Sequence, residues 1–274
     1  MKTYEVQLKE TYKVEGGVLK CILMDKPLDS DAFWRRPAMI VVPGGGYGMT
    51  SKREGEIVAT EFLSRGFQAF VLWYEVREDG ARYPRQLLQL ASAVDYVKKN
   101  AKEFSVDPSA VFVVGFSAGG HLVGNLAVQH HLASQKAGRP LDCKPTAVGL
   151  CYPVVSYEVG HTATFENLLD GYDVAEKKAL QEDLSLDKCV SDLTPPAFIW
   201  TTAEDSVVDS RNSLYYALAL AKRKIPYELH VYPQGEHGAS TGGDEINLTK
   251  LPLYKRISAW LDDCAAFFRL FIRA

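Results

Sequence analysis

The chain has 274 residues, 47% of them hydrophobic and 24% charged, with a formal net charge of −3. These are the proportions of a globular protein built as one large α/β domain or two small ones, with a core that needs no disulfide or metal to hold it. No basic run marks a nucleic-acid surface, no acidic tail marks a charged partner, and no apolar run reaches the roughly 18 residues of a membrane-spanning helix.

The cysteines are Cys21, Cys143, Cys151, Cys189 and Cys264, an odd number with no metal-like spacing. Several sit in apolar runs, where a free thiol packs as a small hydrophobe, which suits a reducing compartment. The first residues, Met1 to Gln7, are polar and have no apolar signal-peptide core. A cytoplasmic location is therefore expected.

In chain order, residues 3–9 and 17–24 read as strands joined by a Gly16-Gly17 turn. Ala38 to Val42 is a buried strand ending at Pro43, followed by the glycine loop Gly44-Gly45-Gly46-Tyr47-Gly48. Residues 54–65 carry Ile57, Val58, Phe62 and Leu63 at helical spacing, and Gly66 is a natural stop. Phe67 to Trp73 is the next strand. Residues 84–100 predict an amphipathic helix with Leu87, Leu90, Ala91, Val94 and Val97 on one face.

Asp107-Pro108 turns the chain into the apolar run Val111 to Val114, and a helix follows through Leu122, Val123, Leu126 and Val128. Ala147 to Tyr152, Ala197 to Thr201 and Tyr227 to Tyr232 read as strands, with a helix over 210–224. A final helix carries Ile257, Trp260, Leu261, Cys264, Phe267, Phe268 and Phe271. From residue 38 onward strands and helices alternate, which implies an α/β fold with a mostly parallel sheet and helices on both faces. The whole of 1–274 is expected to be a single domain. The charged stretch 156–196 stands out as a small cap-like insertion over the carboxyl ends of the strands, before the strand at 197.

Chemistry is concentrated at Gly115-Phe116-Ser117-Ala118-Gly119, a G-x-S-x-G placed between a strand and a helix. A serine in such a sharp turn presents its hydroxyl at the top of the sheet, and glycines on either side avoid clashes in the bend. A serine hydroxyl needs an adjacent base. Gly235-Glu236-His237-Gly238 follows the last strand and offers His237. The carboxylate that orients it should follow the preceding strand, where Glu204, Asp205 and Asp209 are the choices. Asp205 is chosen because Asp-Ser-Val-Val puts the acid at the turn; Glu204 is out of phase, and Asp209 suits a helix N-cap. Stabilising the developing oxyanion requires backbone N–H groups, expected from Ala118 and from Gly45 and Gly46 of the glycine loop.

Other histidines carry less. His121 opens the nucleophile helix as a packed residue, His130 and His131 end it, and His230 lies inside a strand. His161 lies in the insertion and is a weaker candidate to touch substrate. No His, Asp and Glu cluster has metal spacing, so no metal or cofactor is expected.

These four segments, Pro43 to Gly48, Gly115 to His121, Thr201 to Val208 and Gly235 to Gly238, give the chain a resemblance to the α/β-hydrolases over nearly its whole length. Within that fold it resembles the small esterases and acetyl-xylan-esterase-like enzymes of the hormone-sensitive-lipase and BD-FAE type. It departs from the usual H-G-G-G in having Pro43 in place of the histidine. The resemblance implies a serine carboxylesterase acting on short acyl groups, acetyl above all, on sugars or similar polar alcohols. Tyr47, Trp73, Tyr74 and Tyr152, at or near the carboxyl ends of strands, are candidates to wall the acyl pocket.

Three other readings compete. A peptidase or acylamide hydrolase would use the same triad, but no second domain gates peptide access. A lipase would want an amphipathic apolar lid where this chain has a charged insertion. A non-catalytic binding protein on this fold would ordinarily lack a triad member, and here all three residue types remain. The expected partner is a small ester substrate, without nucleic acid or membrane, and homo-oligomer formation is left open.

Overall fold

The computed structural model describes residues 1–12, 14–26, 34–159, 161–247 and 252–272. The elements run β1 (Lys2–Gln7), α1 (Leu8–Tyr12), β2 (Val18–Leu23), β3 (Arg36–Val42), α2 (Glu56–Ser64), β4 (Gln68–Trp73), α3 (Arg85–Lys99), β5 (Val106–Phe116) and α4 (Ala118–Lys136). They continue with β6 (Val148–Cys151), α5 (Thr162–Leu168), α6 (Val174–Leu184), α7 (Leu186–Cys189), β7 (Ala197–Thr202), α8 (Arg211–Lys222), β8 (Tyr227–Tyr232), α9 (Pro252–Ile257) and α10 (Trp260–Arg269).

Among the described residues, eight strands form one sheet in the order β1-β2-β4-β3-β5-β6-β7-β8. β1 and β2 pair antiparallel, β2 meets β4 antiparallel, and every later pairing is parallel. Residues 110–116 of β5, near the centre, are buried throughout because helices cover both faces. That double cover is why the strand reads as an unbroken apolar run rather than an alternating one. One core layer packs α3, α4 and α8 residues such as Leu90, Leu126 and Leu220 against the sheet. The other packs Phe62 of α2 with Trp260, Cys264 and Phe268 of α10. There the Phe268 ring stacks on Phe112 of β5 with centroids 4.6 Å apart. Each large side chain fully buried in this way contributes roughly 1.5–3 kcal/mol.

Two local expectations change. The strand expected over 3–9 ends at Gln7, because Leu8 and Tyr12 turn inward on a single helical turn, α1, that buries both. The final helix is divided, with α9 ending at Ile257 and α10 starting at Trp260.

The segment between β6 and β7 forms α5, α6 and α7. It is pinned to the top of the sheet by Leu186 N donating to Val155 O (2.9 Å) and by Tyr83 N donating to Leu168 O (2.9 Å). The Asp173 carboxylate caps α6 by accepting from Glu176 N, while Glu176 reaches back to Asp173 N, so this charged helix is held at its start.

Candidate active site

Three side chains distant in sequence meet beyond the carboxyl ends of the parallel strands. Ser117 joins β5 to α4, Asp205 follows β7, and His237 follows β8. His237 Nε2 lies 2.9 Å from Ser117 Oγ, and its Nδ1 lies 2.7 Å from Asp205 Oδ2. A carboxylate can only accept, so in the neutral ring Nδ1 carries the proton and Nε2 is left as acceptor for the serine hydroxyl.

Ser117 is held at φ 53, ψ −117. That backbone state costs an L-residue about 1–3 kcal/mol and persists only where its surroundings over-determine it. Here Ser117 N donates to Cys151 O (3.0 Å), and Ser117 O accepts from His121 N (3.0 Å) and Val154 N (3.2 Å). The flanking glycines answer to close approach. A Cβ on Gly119 would meet the carbonyl oxygens of Val42 and Pro43 at 2.3 Å, which no side chain tolerates.

The Asp205 side chain is completely buried. Its Oδ1 accepts from the N–H groups of Val207 and Val208, both at 2.9 Å, which aims Oδ2 at the imidazole. Asp209 instead accepts from Arg211 N and pairs with the Arg211 guanidinium at the start of α8. Glu204 is exposed.

The glycine loop folds over the serine. Gly48 N and Met49 N both bond Gly45 O at 3.1 Å, and Gly45 sits at φ 124, where a Cβ would strike Met49 O at 2.2 Å. Among the described residues, the N–H groups of Gly45, Gly46 and Ala118 have no acceptor within the chain. For Ala118 this follows from its place as the first residue of α4, where no preceding helical carbonyl exists.

The loop lacks a histidine at position 43, and four other groups brace it. Tyr74 Oη donates to Pro43 O (2.9 Å), Glu54 Oε2 accepts from Gly44 N (2.8 Å), and Asn167 Nδ2 of α5 donates to Gly46 O (2.8 Å). The fourth is Tyr47 Oη on His121 Nδ1 (2.9 Å). His121 Nε2 contacts Leu184 O (2.9 Å), which can only accept, so Nε2 holds the ring proton and Tyr47 is the donor to Nδ1. Burial lowers the pKa of His121 to about 4, with the Leu184 bond a smaller opposing influence.

The expected pocket walls turn out to be braces. Tyr47, Tyr74 and Tyr152 each expose 3% or less of their surface, and their hydroxyls are taken by His121, Pro43 and Glu54. Trp73 packs on the α2 side, where its ring fills the space over Gly55. A residue at the end of a strand can point into the loops behind the site as readily as into its mouth, and position alone does not distinguish the two.

The remaining histidines lie apart from Ser117 in their contacts. His130 Nε2 meets Leu193 O, His131 stacks edge-on to His130, and His230 pairs with Glu228 within β8. His161 Nδ1 meets Thr164 Oγ1 at 3.1 Å at the start of α5. Sequence patterns did not single out Glu54 or Asn167. A glutamate in a polar run and an asparagine in a charged insertion carry no periodic signal of being buried or bonded to a loop 10 or 121 residues away.

The BD-FAE family model matches residues 24–220. The chain is 38% identical over 219 residues to endo-1,4-beta-xylanase B of Butyrivibrio fibrisolvens, covering 77% of this chain and 34% of that protein. It is 29% identical over 209 residues to the acetylxylan esterase of Xylanibacter ruminicola, covering 75% and 41%. The chain thus spans about a third to two fifths of the length of these curated relatives. Among solved structures, the acetyl ester-xyloside bifunctional hydrolase of Caldicellulosiruptor lactoaceticus superposes with a TM-score of 0.81 at 32% identity, covering 98% of this chain and 97% of that one. No helix among the described residues is long and apolar enough to cross a membrane. The chain belongs to the BD-FAE family and has the fold of the α/β-hydrolase esterases.

Proposed function

We propose that the chain is a serine carboxylesterase that hydrolyses short acyl esters, acetyl esters of sugars foremost, through an acyl-enzyme on Ser117. The observation that carries this reading is the hydrogen-bonded series Asp205, His237, Ser117 beside the unengaged N–H groups of Gly45, Gly46 and Ala118. His237 Nε2 takes the Ser117 proton as Oγ bonds to the ester carbonyl carbon. The imidazolium so formed is stabilised by Asp205 across the 2.7 Å contact. The carbonyl oxygen gains negative charge and is met by the three N–H donors. His237 then gives its proton to the departing alcohol oxygen. In the second half it takes a proton from water, whose oxygen attacks the acyl carbon, and gives that proton to Ser117 Oγ as the Oγ–carbon bond breaks and the acid leaves.

Preference for acetyl esters on a sugar rests on the relatives, one named an acetylxylan esterase and another an acetyl ester-xyloside bifunctional hydrolase. Helix α5 reaches the glycine loop through Asn167, and α6 beyond it exposes Glu176, Lys178, Glu182 and Asp183, which favours a polar alcohol portion over an alkyl chain. The test is kcat/KM for p-nitrophenyl acetate, butyrate, hexanoate and octanoate, beside acetate release from acetylated xylo-oligosaccharides. Rates should be highest for acetate and fall steeply by hexanoate, and the oligosaccharides should be deacetylated. A maximum at octanoate would remove the short-acyl reading. A fluorophosphonate probe should label Ser117, located by peptide mass.

A further inference from the structure

Glu54 is a carboxylate with only 4% of its surface exposed, in the turn before α2. Its Oε2 accepts from Gly44 N at 2.8 Å, and its Oε1 faces Tyr152 Oη at 2.7 Å. Tyr152 Oη also receives Ser240 N–H at 3.0 Å, so its own proton points to Glu54. Both Glu54 contacts are therefore donations to the carboxyl, the arrangement that suits an ionised group.

The placement matters as much as the bonding. A Cβ built on Gly44 would touch Glu54 Oε2 at 2.8 Å and Ser117 Cβ at 3.0 Å, so the carboxylate and Ser117 both crowd against Gly44. The Tyr152 ring lies edge-on beneath His237, with centroids 5.0 Å apart. Ser240, three residues beyond His237, is anchored a second time through Oγ to Arg53 O at 2.5 Å. One buried acid thus joins the glycine loop to the histidine loop, and no other interaction described above bridges the two.

We propose that Glu54 is a positioning residue for the reaction, and that its buried negative charge, with that of Asp205, favours the imidazolium formed on His237. This rests on the Ser117, His237 and Asp205 reading. The charged or titratable groups around Glu54 are Arg53 in its own turn, Tyr74 after β4, Cys151 in β6, Tyr152 and His237. Burial raises the Glu54 pKa, and the Tyr152 and Gly44 hydrogen bonds and the charge of His237 oppose that rise. In low-dielectric surroundings a fixed charge near the developing imidazolium acts far more strongly than in water.

The experiment is the pH dependence of kcat/KM for p-nitrophenyl acetate in wild type, Glu54→Gln and Tyr152→Phe, with Ser117→Ala alongside. Glu54→Gln keeps an acceptor for Gly44 N–H and removes the charge. It should lower kcat by about tenfold or more with KM within about threefold. With less negative charge nearby, imidazolium is harder to form, so the acid limb of the profile should move to lower pH by about half a unit or more. A purely structural role would lower kcat and leave the limb in place; an unmoved limb in folded Glu54→Gln overturns the proposal.

If Glu54→Gln does not fold, Tyr152→Phe decides. Removing the hydroxyl donor makes the Glu54 anion less favourable, and the limb should move in the same direction by a smaller amount. An unmoved limb there overturns the proposal equally. Hydrolysis that survives in Ser117→Ala would instead bring down the triad reading, and this inference with it.

Discussion

Tyr47 donates its hydroxyl to His121 Nδ1 at 2.9 Å, and that one bond couples the glycine loop to α4. The other ring nitrogen of His121 donates to Leu184 O at the end of α6, so a single buried imidazole ties loop, helix and insertion together. Burial favours the neutral ring, because protonation would place a charge where no carboxylate among the described residues pairs it and would turn the Tyr47 hydroxyl from donor to acceptor.

A pH dependence of stability follows. His121 has a folded pKa of about 4, below the value of about 6.5 for an unfolded chain. Between those values the unfolded state binds a proton that the folded state does not, so stability falls as pH drops through the window. The full cost at its lower end is on the order of 3 kcal/mol. Urea unfolding of wild type and His121→Asn at pH 7, 6, 5 and 4 should show a shallower decline in the variant. Glu54, with its raised pKa, acts in the opposite sense in both proteins. Equal slopes in the two proteins would refute the assignment.

Ser117→Ala should reduce ester hydrolysis by at least about 10³-fold while leaving the circular dichroism spectrum unchanged. Ser117→Gly should be equally inactive yet more stable than Ser117→Ala by about 1 kcal/mol, since glycine adopts φ 53 without the strain an L side chain feels. Thermal unfolding of the two variants side by side checks the second half.

Asp205→Asn should lower kcat by about 10⁴-fold with KM little altered, because an amide at that position no longer holds Nδ1–H and cannot balance an imidazolium. Asp209→Asn should change kcat less than about threefold, as its partner is Arg211 at the surface. Steady-state kinetics on both variants distinguishes the two acids, and the reverse ranking would move the catalytic carboxylate to Asp209.

Gly119→Ala should fail to fold or lose more than about 3 kcal/mol, because the added methyl meets two backbone oxygens, which cannot swing aside as a flexible side chain can. Gly138→Ala is the contrasting case. Nothing lies within 4 Å of its Cβ position, so only its positive φ of 64 resists and the loss should stay near 1 kcal/mol. Soluble yield and urea midpoints of both variants test the contrast.

What the chain determines by itself is what neighbours in sequence determine. Val111 to Gly119 reads as strand, turn and helix because apolar runs and glycine spacing are local. The strand over 227–232 is placed to the residue for the same reason. The order of the elements then puts Ser117, Asp205 and His237 after β5, β7 and β8, which all run parallel, and parallel strands end on one side of a sheet. Tertiary structure decided what depends on separation. Glu54 meets Tyr152 across 98 residues, and Tyr47 meets His121 across 74. Tyr152 points behind His237 rather than into the mouth of the site. No periodicity records those choices, because burial and hydrogen-bond satisfaction of a lone polar side chain are set by what folds against it.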